Sequence, residues 1–128
     1  MSKKDNKIKG NLGEDIACYY LRKNEYKILE RNFTSYRGEI DIIARDKDEI
    51  VFVEVKTRAQ VYCGYPSESV NFTKIKQLYK VAEYYIFANK INDERLRFDV
   101  IEVYLYGSKS YKINHIKNAI LDSPFGYR

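Results

Sequence analysis

Tryptophan is absent from the 128 residues, there is one histidine, and there are only two cysteines. The single histidine, His115, falls in a late expected strand, where packing or a surface position is the plainer reading. Its isolation argues against Ser-His-Asp and Cys-His hydrolase schemes. Cys18 and Cys63 have no short metal-ligand spacing, so they argue against a zinc site and supply no disulfide framework. A reduced, cytoplasmic setting is the expectation. No apolar run approaches the roughly 18 residues of a membrane span. The charged start, Met1-Ser2-Lys3-Lys4-Asp5, is followed by no apolar signal-peptide region. Internal repeats and low-complexity segments are also missing.

What is present is an ordinary globular balance, 45% hydrophobic and 32% charged. The length predicts a single domain, residues 1–128, with 118–128 a weakly patterned, loosely ordered tail. A formal net charge of +5 suits a polyanionic partner, though modestly. Tyrosine is frequent, at 13 residues. Much of it falls on apolar faces, where core packing is the cheaper account, although tyrosine also stacks on bases.

The most informative stretch runs from Gly38-Glu39-Ile40-Asp41-Ile42-Ile43-Ala44-Arg45 to Val51-Phe52-Val53-Glu54-Val55-Lys56. Alternation makes each half a strand, and the polar Asp46-Lys47-Asp48-Glu49 makes the turn. With Lys47 and Asp48 at the tip, Arg45 pairs with Ile50, Ile43 with Phe52, Asp41 with Glu54 and Glu39 with Lys56. Directly opposite residues share a face, so two carboxylates and an ammonium become neighbours. Ile40, Ile42, Val51, Val53 and Val55 then form an aliphatic reverse face. Like charges placed opposite each other destabilise a sheet, and two buried carboxylates do not both ionise cheaply. A divalent cation removes both objections, because Asp41 and Glu54 offer the hard oxygen ligands that Mg²⁺ or Mn²⁺ takes. The rival is a half-exposed hairpin with a solvated polar face. The apolar character of Val-Phe-Val-Glu-Val, which reads as a central strand with Glu54 inside it, tilts against that rival.

Around the hairpin, Asn6 is a candidate cap for a helix to about Asn24, with Leu12, Ile16, Ala17, Tyr20 and Leu21 at helical spacing. Gly10 and Gly13 lie in it, each costing about 1 kcal/mol relative to alanine. A close backbone approach would explain them. Tyr26 to Arg31 reads as a strand and 32–37 as a polar loop. Arg58 to Val70 reads as a long irregular loop. A helix follows over about Thr73 to Asn89, with Ile75, Leu78, Tyr79, Ala82, Tyr85 and Ile86 on one face. Strands are expected over Arg97 to Tyr106 and Tyr111 to Lys117. The order is α-β-β-β-α-β-β, an α/β mixed sheet flanked by helices.

Gly13-Glu14, Arg31-Asn32-Phe33, the two hairpin segments and Arg97-Phe98-Asp99-Val100 resemble the YraN family of small bacterial endonuclease-like proteins, over nearly the whole chain. That family is similar to the PD-(D/E)xK nuclease superfamily and, within it, to archaeal Holliday-junction resolvases. The resemblance implies a restriction endonuclease-like α-β-β-β-α-β core. It places Asp41 at the first acidic position, Glu54 at the second, Lys56 at the lysine, and Glu14 where resolvase-like members carry an acid in the first helix. Ile40 replaces the motif proline. Gln77 suits the glutamine of RecB-like nucleases, but Val81 stands where their tyrosine falls.

The expectation is a Mg²⁺- or Mn²⁺-dependent endonuclease acting on structured or branched DNA. Asp41, Glu54, the Val55 carbonyl and Glu14 would hold the metal. Lys56 would act on the attacking water or the phosphate, Glu39 would lie behind it, and Arg37, Arg58, Lys74 and Gln77 would grip DNA. A homodimer fits by analogy with resolvases, which cut two strands. Each assignment has a plainer rival: an ion pair of Glu14 with Arg37 or Lys56, a structural Glu39, a solvated face for Lys74, Gln77 and Lys80, and a turn-capping Asp99 ion-paired with Arg97. The alternative function is a non-catalytic module that binds nucleic acid or a protein on a nuclease fold. A structural dimer piece is a third.

Overall fold

The computed structural model describes residues 3–58, 72–92, 94–107 and 109–119, with side chains from Asn11 onward in the first helix and from Lys76 onward in the second. The element order is α1 (Lys3–Lys23), β1 (Lys27–Ser35), β2 (Gly38–Asp46), β3 (Glu49–Arg58), α2 (Phe72–Ala88), β4 (Arg95–Tyr106) and β5 (Ser110–Ile116). The expected α/β order is met. Asn6 lies inside α1 and does not cap it, and β1 runs on through the expected loop to Ser35. The loop after Arg58, Cys63 within it and the tail beyond residue 119 lie outside the described residues.

The strands form one mixed sheet in the order β1-β2-β3-β4-β5. All neighbours are antiparallel except β3 and β4, which are parallel. A parallel neighbour requires a crossover, and α2 lies within that connection. β3 is therefore central, as its apolar run predicts.

Each helix buries one stripe on one face of the sheet. Ala17, Cys18 and Leu21 of α1 pack on Ile42, Ala44, Val51, Val53, Ile101 and Val103. Leu78, Tyr79, Val81, Ala82 and Tyr85 of α2 pack on Ile40, Ile43, Ile50, Phe52 and Phe98. Alternation along β3 explains why Val51 and Val53 meet α1 while Ile50 and Phe52 meet α2.

Both helices stop in the same way. Glu25 and Lys90 take positive φ just past the ends, at 68° and 52°. The next amides, of Tyr26 and Ile91, return to the Leu21 and Ile86 carbonyls at 2.9 and 3.0 Å. Asn24 and Asn89 donate side-chain amides to Tyr20 O and Tyr85 O at 2.8 and 2.9 Å. Carbonyls left open by the last turn are thereby satisfied.

Candidate functional site

The hairpin register follows the expected turn. Lys47 and Asp48 form the tip, Arg45 pairs with Ile50 and Ile43 with Phe52. The pairing is recorded only as far as Ile42 with Val53, one step short of Asp41 and Glu54. The reason is a break in β2. Ile40 and Ile43 both join the cluster under α2, whereas Ile42 and Ala44 join the one under α1. Strict alternation would have put Ile40 with Ile42, so the expected continuous aliphatic face does not form. Opposite the break, Asn32 of β1 takes a φ of 52°, between the pairs Arg31 with Ile42 and Phe33 with Ile40. Asparagine tolerates that conformation better than most residues.

The break decides where the Asp41 carboxylate goes. Its Oδ2 accepts the Val55 N–H at 2.8 Å, so the carboxylate bridges to the neighbouring strand at its backbone. Glu54 follows Phe52 by alternation and lines a small cavity with Ile40, Phe52, Leu78 and Phe98, on the α2 side. Glu14 belongs to α1, on the opposite side. The two acids therefore lie at a gap in the β2–β3 ladder, not as a flat pair on one face. Burial, and then the charge of Glu54, push the Asp41 pKa up to about 7; the Val55 N–H opposes this, and Glu14 and Glu39 add to it. The carboxylates of both strands and of α1 are thus electrostatic neighbours.

Glu54 is 7% exposed. Lys56 Nζ stands 3.7 Å from its Oε2, so the acid and the ammonium are adjacent, as the sequence suggests. Glu14 pairs with neither Arg37 nor Lys56. Its partner is Arg31 at 3.7 Å, with Asp15 sharing that guanidinium at 2.9 Å. Burial raises the Glu14 pKa, against a side-chain bond from Asn32 and the charge of Arg31. Its Oε1 is buried and accepts no hydrogen bond among the described residues.

Gly13 explains how α1 comes so near. A Cβ there would overlap the Thr57 hydroxyl and stand 3.0 and 3.1 Å from the Thr57 Cβ and Cγ2. The glycine lets the helix touch the end of β3, and this puts Glu14 beside the gap. The predicted close approach is therefore to the sheet.

The remaining candidates are more dispersed. Glu39 is exposed on β2 and pairs in the ladder with Thr34. Arg37 is exposed, with its guanidinium 4.9 Å from the Tyr36 ring. Arg58 Nη2 is 3.9 Å from Glu102 Oε2. Gln77 is exposed on α2, while the side chain of Lys74 lies outside the described residues. Among the described residues no three His, Cys, Asp or Glu side chains are grouped so as to hold a metal ion by themselves.

Two features escaped the sequence reading. Glu102, 2% exposed, lies beside Lys56 in the parallel ladder and accepts a bond from Asn114 Nδ2 at 2.8 Å. The signal was available, since Val-Ile-Glu-Val repeats the acid-within-apolar pattern that singled out Glu54. The second is a polar network. Arg97 donates to Asp99 at 2.9 and 3.0 Å, to Asp46 at 3.1 Å, to Glu49 at 2.8 Å and to Tyr26 at 2.8 Å. Asp99 also holds His115 Nε2 at 2.7 Å and the Asn118 N–H at 2.9 Å. His115 Nδ1 is 2.9 Å from the Tyr20 hydroxyl. The expected Arg97–Asp99 ion pair forms here, whereas His115, read as packing or surface, is held by hydrogen bonds on both ring nitrogens.

An α/β protein whose described residues form two helices and a five-stranded mixed sheet, with acids gathered where the β2–β3 ladder ends, is the class this architecture defines. Residues 13–103 match the family model described as "Uncharacterised protein family UPF0102", and the chain belongs to that family. A UPF0102 protein of Clostridioides difficile is 53% identical over 115 residues, covering 90% of this chain and 98% of the relative. One of Caldanaerobacter subterraneus is 50% identical over 121 residues, covering 93% and 99%. One of Clostridium botulinum is 52% identical over 116 residues, covering 89% and 94%. No described helix is long and apolar enough to cross a membrane.

Proposed function

We propose that the protein is a Mg²⁺- or Mn²⁺-dependent endonuclease of the PD-(D/E)xK kind, acting on structured or branched DNA. One observation carries the reading. Asp41 is half-buried, its Oδ2 held on the Val55 N–H, and its pKa is pushed up to about 7 chiefly by desolvation and by the Glu54 charge. A fold has little use for that arrangement unless a cation offsets it. The donor set fits a hard divalent ion. Glu14 keeps a buried oxygen that accepts no hydrogen bond among the described residues, and such ions are held by one or two carboxylates plus waters. Asp41, Glu54 and the Val55 carbonyl would hold it, with Glu14 completing the site directly or through water.

When bound, the ion would lower the pKa of a water and neutralise charge on the phosphate. Lys56, kept near by Glu54, orients the attacking water or steadies a non-bridging phosphate oxygen. Glu39 adds negative potential behind Asp41. Arg37, Arg58, Lys74 and Gln77 contact flanking phosphates, which gives affinity without sequence reading. A cytoplasmic homodimer suits an enzyme that must cut two strands.

The test is cleavage of junction, flap and single-stranded DNA with Mg²⁺ or Mn²⁺. The wild type cuts. Lys56→Ala loses about a hundredfold or more in rate, as removal of a group that stabilises transition-state charge does. Unchanged cleavage by Lys56→Ala moves the chemistry elsewhere.

A second reading, a module that binds DNA without cutting it, draws on the absence of a three-ligand cluster among the described residues. Binding in both metals without cleavage selects it.

A further inference from the structure

The tyrosines divide unevenly between core and surface. Tyr26, Tyr79 and Tyr85 are buried, as apolar patterning predicts, but Tyr36 is 84% exposed. It stands at the β1–β2 turn, between Ser35 and Gly38, which pair with each other. The turn is fixed. Ser35 Oγ accepts the Arg37 N–H at 3.0 Å, and Gly38 takes a φ of 141°, a conformation that other residues adopt only at a cost. The Arg37 guanidinium lies 4.9 Å from the Tyr36 ring centre, so the flat cation and the ring are already associated on the solvent side.

The turn is also tied to α2. A Cβ at Gly38 would stand 3.6 Å from Val81 Cγ2. Close to Val81 on the helix, Tyr84 is 47% exposed and leans on Phe33, with ring centres 6.1 Å apart. Asp41 lies a short way into the strand that leaves this turn, about 10 Å along it. An exposed ring with an attendant guanidinium is thus held a few nucleotides from the carboxylate gap.

We infer that Tyr36, backed by Arg37, is a stacking platform for an unpaired base, and that the DNA engaged by this protein presents a single-stranded arm. Bases in a duplex hide their faces in the stack, while unpaired bases offer them to aromatic rings, and Arg adds a cation to the ring and the backbone. The positive balance of the chain favours a polyanion at this turn over a neutral or basic protein partner. The inference rests on the DNA-directed reading above and narrows its substrate to flaps, splayed junctions or single strands.

The test uses the full chain in Ca²⁺, with a flap oligonucleotide carrying 2-aminopurine in its single-stranded arm and the matched blunt duplex. Wild type and Tyr36→Phe bind the flap more tightly than the duplex and quench the 2-aminopurine. Tyr36→Ala loses the quenching and about tenfold in flap affinity, in line with one base–aromatic stack, and its duplex affinity is unchanged. Full flap affinity in Tyr36→Ala, or equal loss on both DNAs, overturns the inference; the first of these would assign the ring to a protein surface. Cleavage is read separately in Mg²⁺ and Mn²⁺. Stacking without cutting sinks the nuclease reading alone, and cutting with Tyr36→Ala still preferring the flap sinks the stacking alone.

Discussion

Asp41 is the residue at which the chain departs most from a quiet hairpin. Its folded pKa, about 7, lies above the unfolded carboxylate value of about 3.9. The native state therefore holds a proton that the unfolded chain releases between those values. The stabilisation is complete below about pH 4 and is lost as pH rises to about 7. Asp41→Asn should raise metal-free stability near pH 8 by about 2 kcal/mol and change little below pH 4. Urea denaturation at the two pH values measures this. Mg²⁺ should raise the melting temperature of the wild type and not of Asp41→Asn. Gly13 gives a second check. Gly13→Ala usually favours a helix, but here it drives the helix off Thr57. It should cost about 1–3 kcal/mol by overpacking and displace Glu14. Circular dichroism melts, run beside Leu12→Ala at an exposed position of the same helix, separate the local clash from a general helix effect.

At the scale of elements, the α-β-β-β-α-β-β order was legible because each element carries its own period. Ala17-Cys18-Leu21 and Leu78-Tyr79-Ala82 repeat as helices do, and Val51 to Val55 alternates. The hairpin register was legible as well, because a tip at Lys47 and Asp48 keeps the apolar residues of both strands in step. The break at Asp41 was not legible. It depends on Asn32 across the ladder taking a left-handed φ, and on Ile40 moving to the α2 cluster, which are tertiary choices. The Arg97 network escaped for the same reason, since it joins residues from β2, β3, β4, β5 and α1 that only the sheet brings together. Burial alone would lower the Arg97 pKa, but its bonds to Asp99 and Asp46 outweigh that and raise it. Arg97→Met leaves Asp99, whose side chain is fully buried, short of a partner. A loss of about 3–5 kcal/mol is expected, read as a lower urea midpoint at unchanged slope.

For the whole molecule, the two acidic centres act in opposite directions with pH. Burial pushes Asp99 up, but bonds from His115, Arg97 and the Asn118 amide pull it lower overall. Its contribution is present above about pH 4 and fades as the solution becomes more acidic. Asp41 favours the acid side of neutrality. Metal-free protein should therefore be most stable between about pH 4 and 6, and Asp41→Asn should extend that plateau toward pH 8, as a series of melts will show. β3 pairs antiparallel with β2 and parallel with β4, and it supplies both Phe52 to the core and Glu54 to the gap. Damage to the buried run of this strand, Ile50 to Glu54, confounds inactivity with misfolding. The gap can be disarmed cleanly only from its borders, by Asp41→Asn on one side and Lys56→Ala on the other, and those two exchanges are the ones by which a fold that survives can be told from a chemistry that does not.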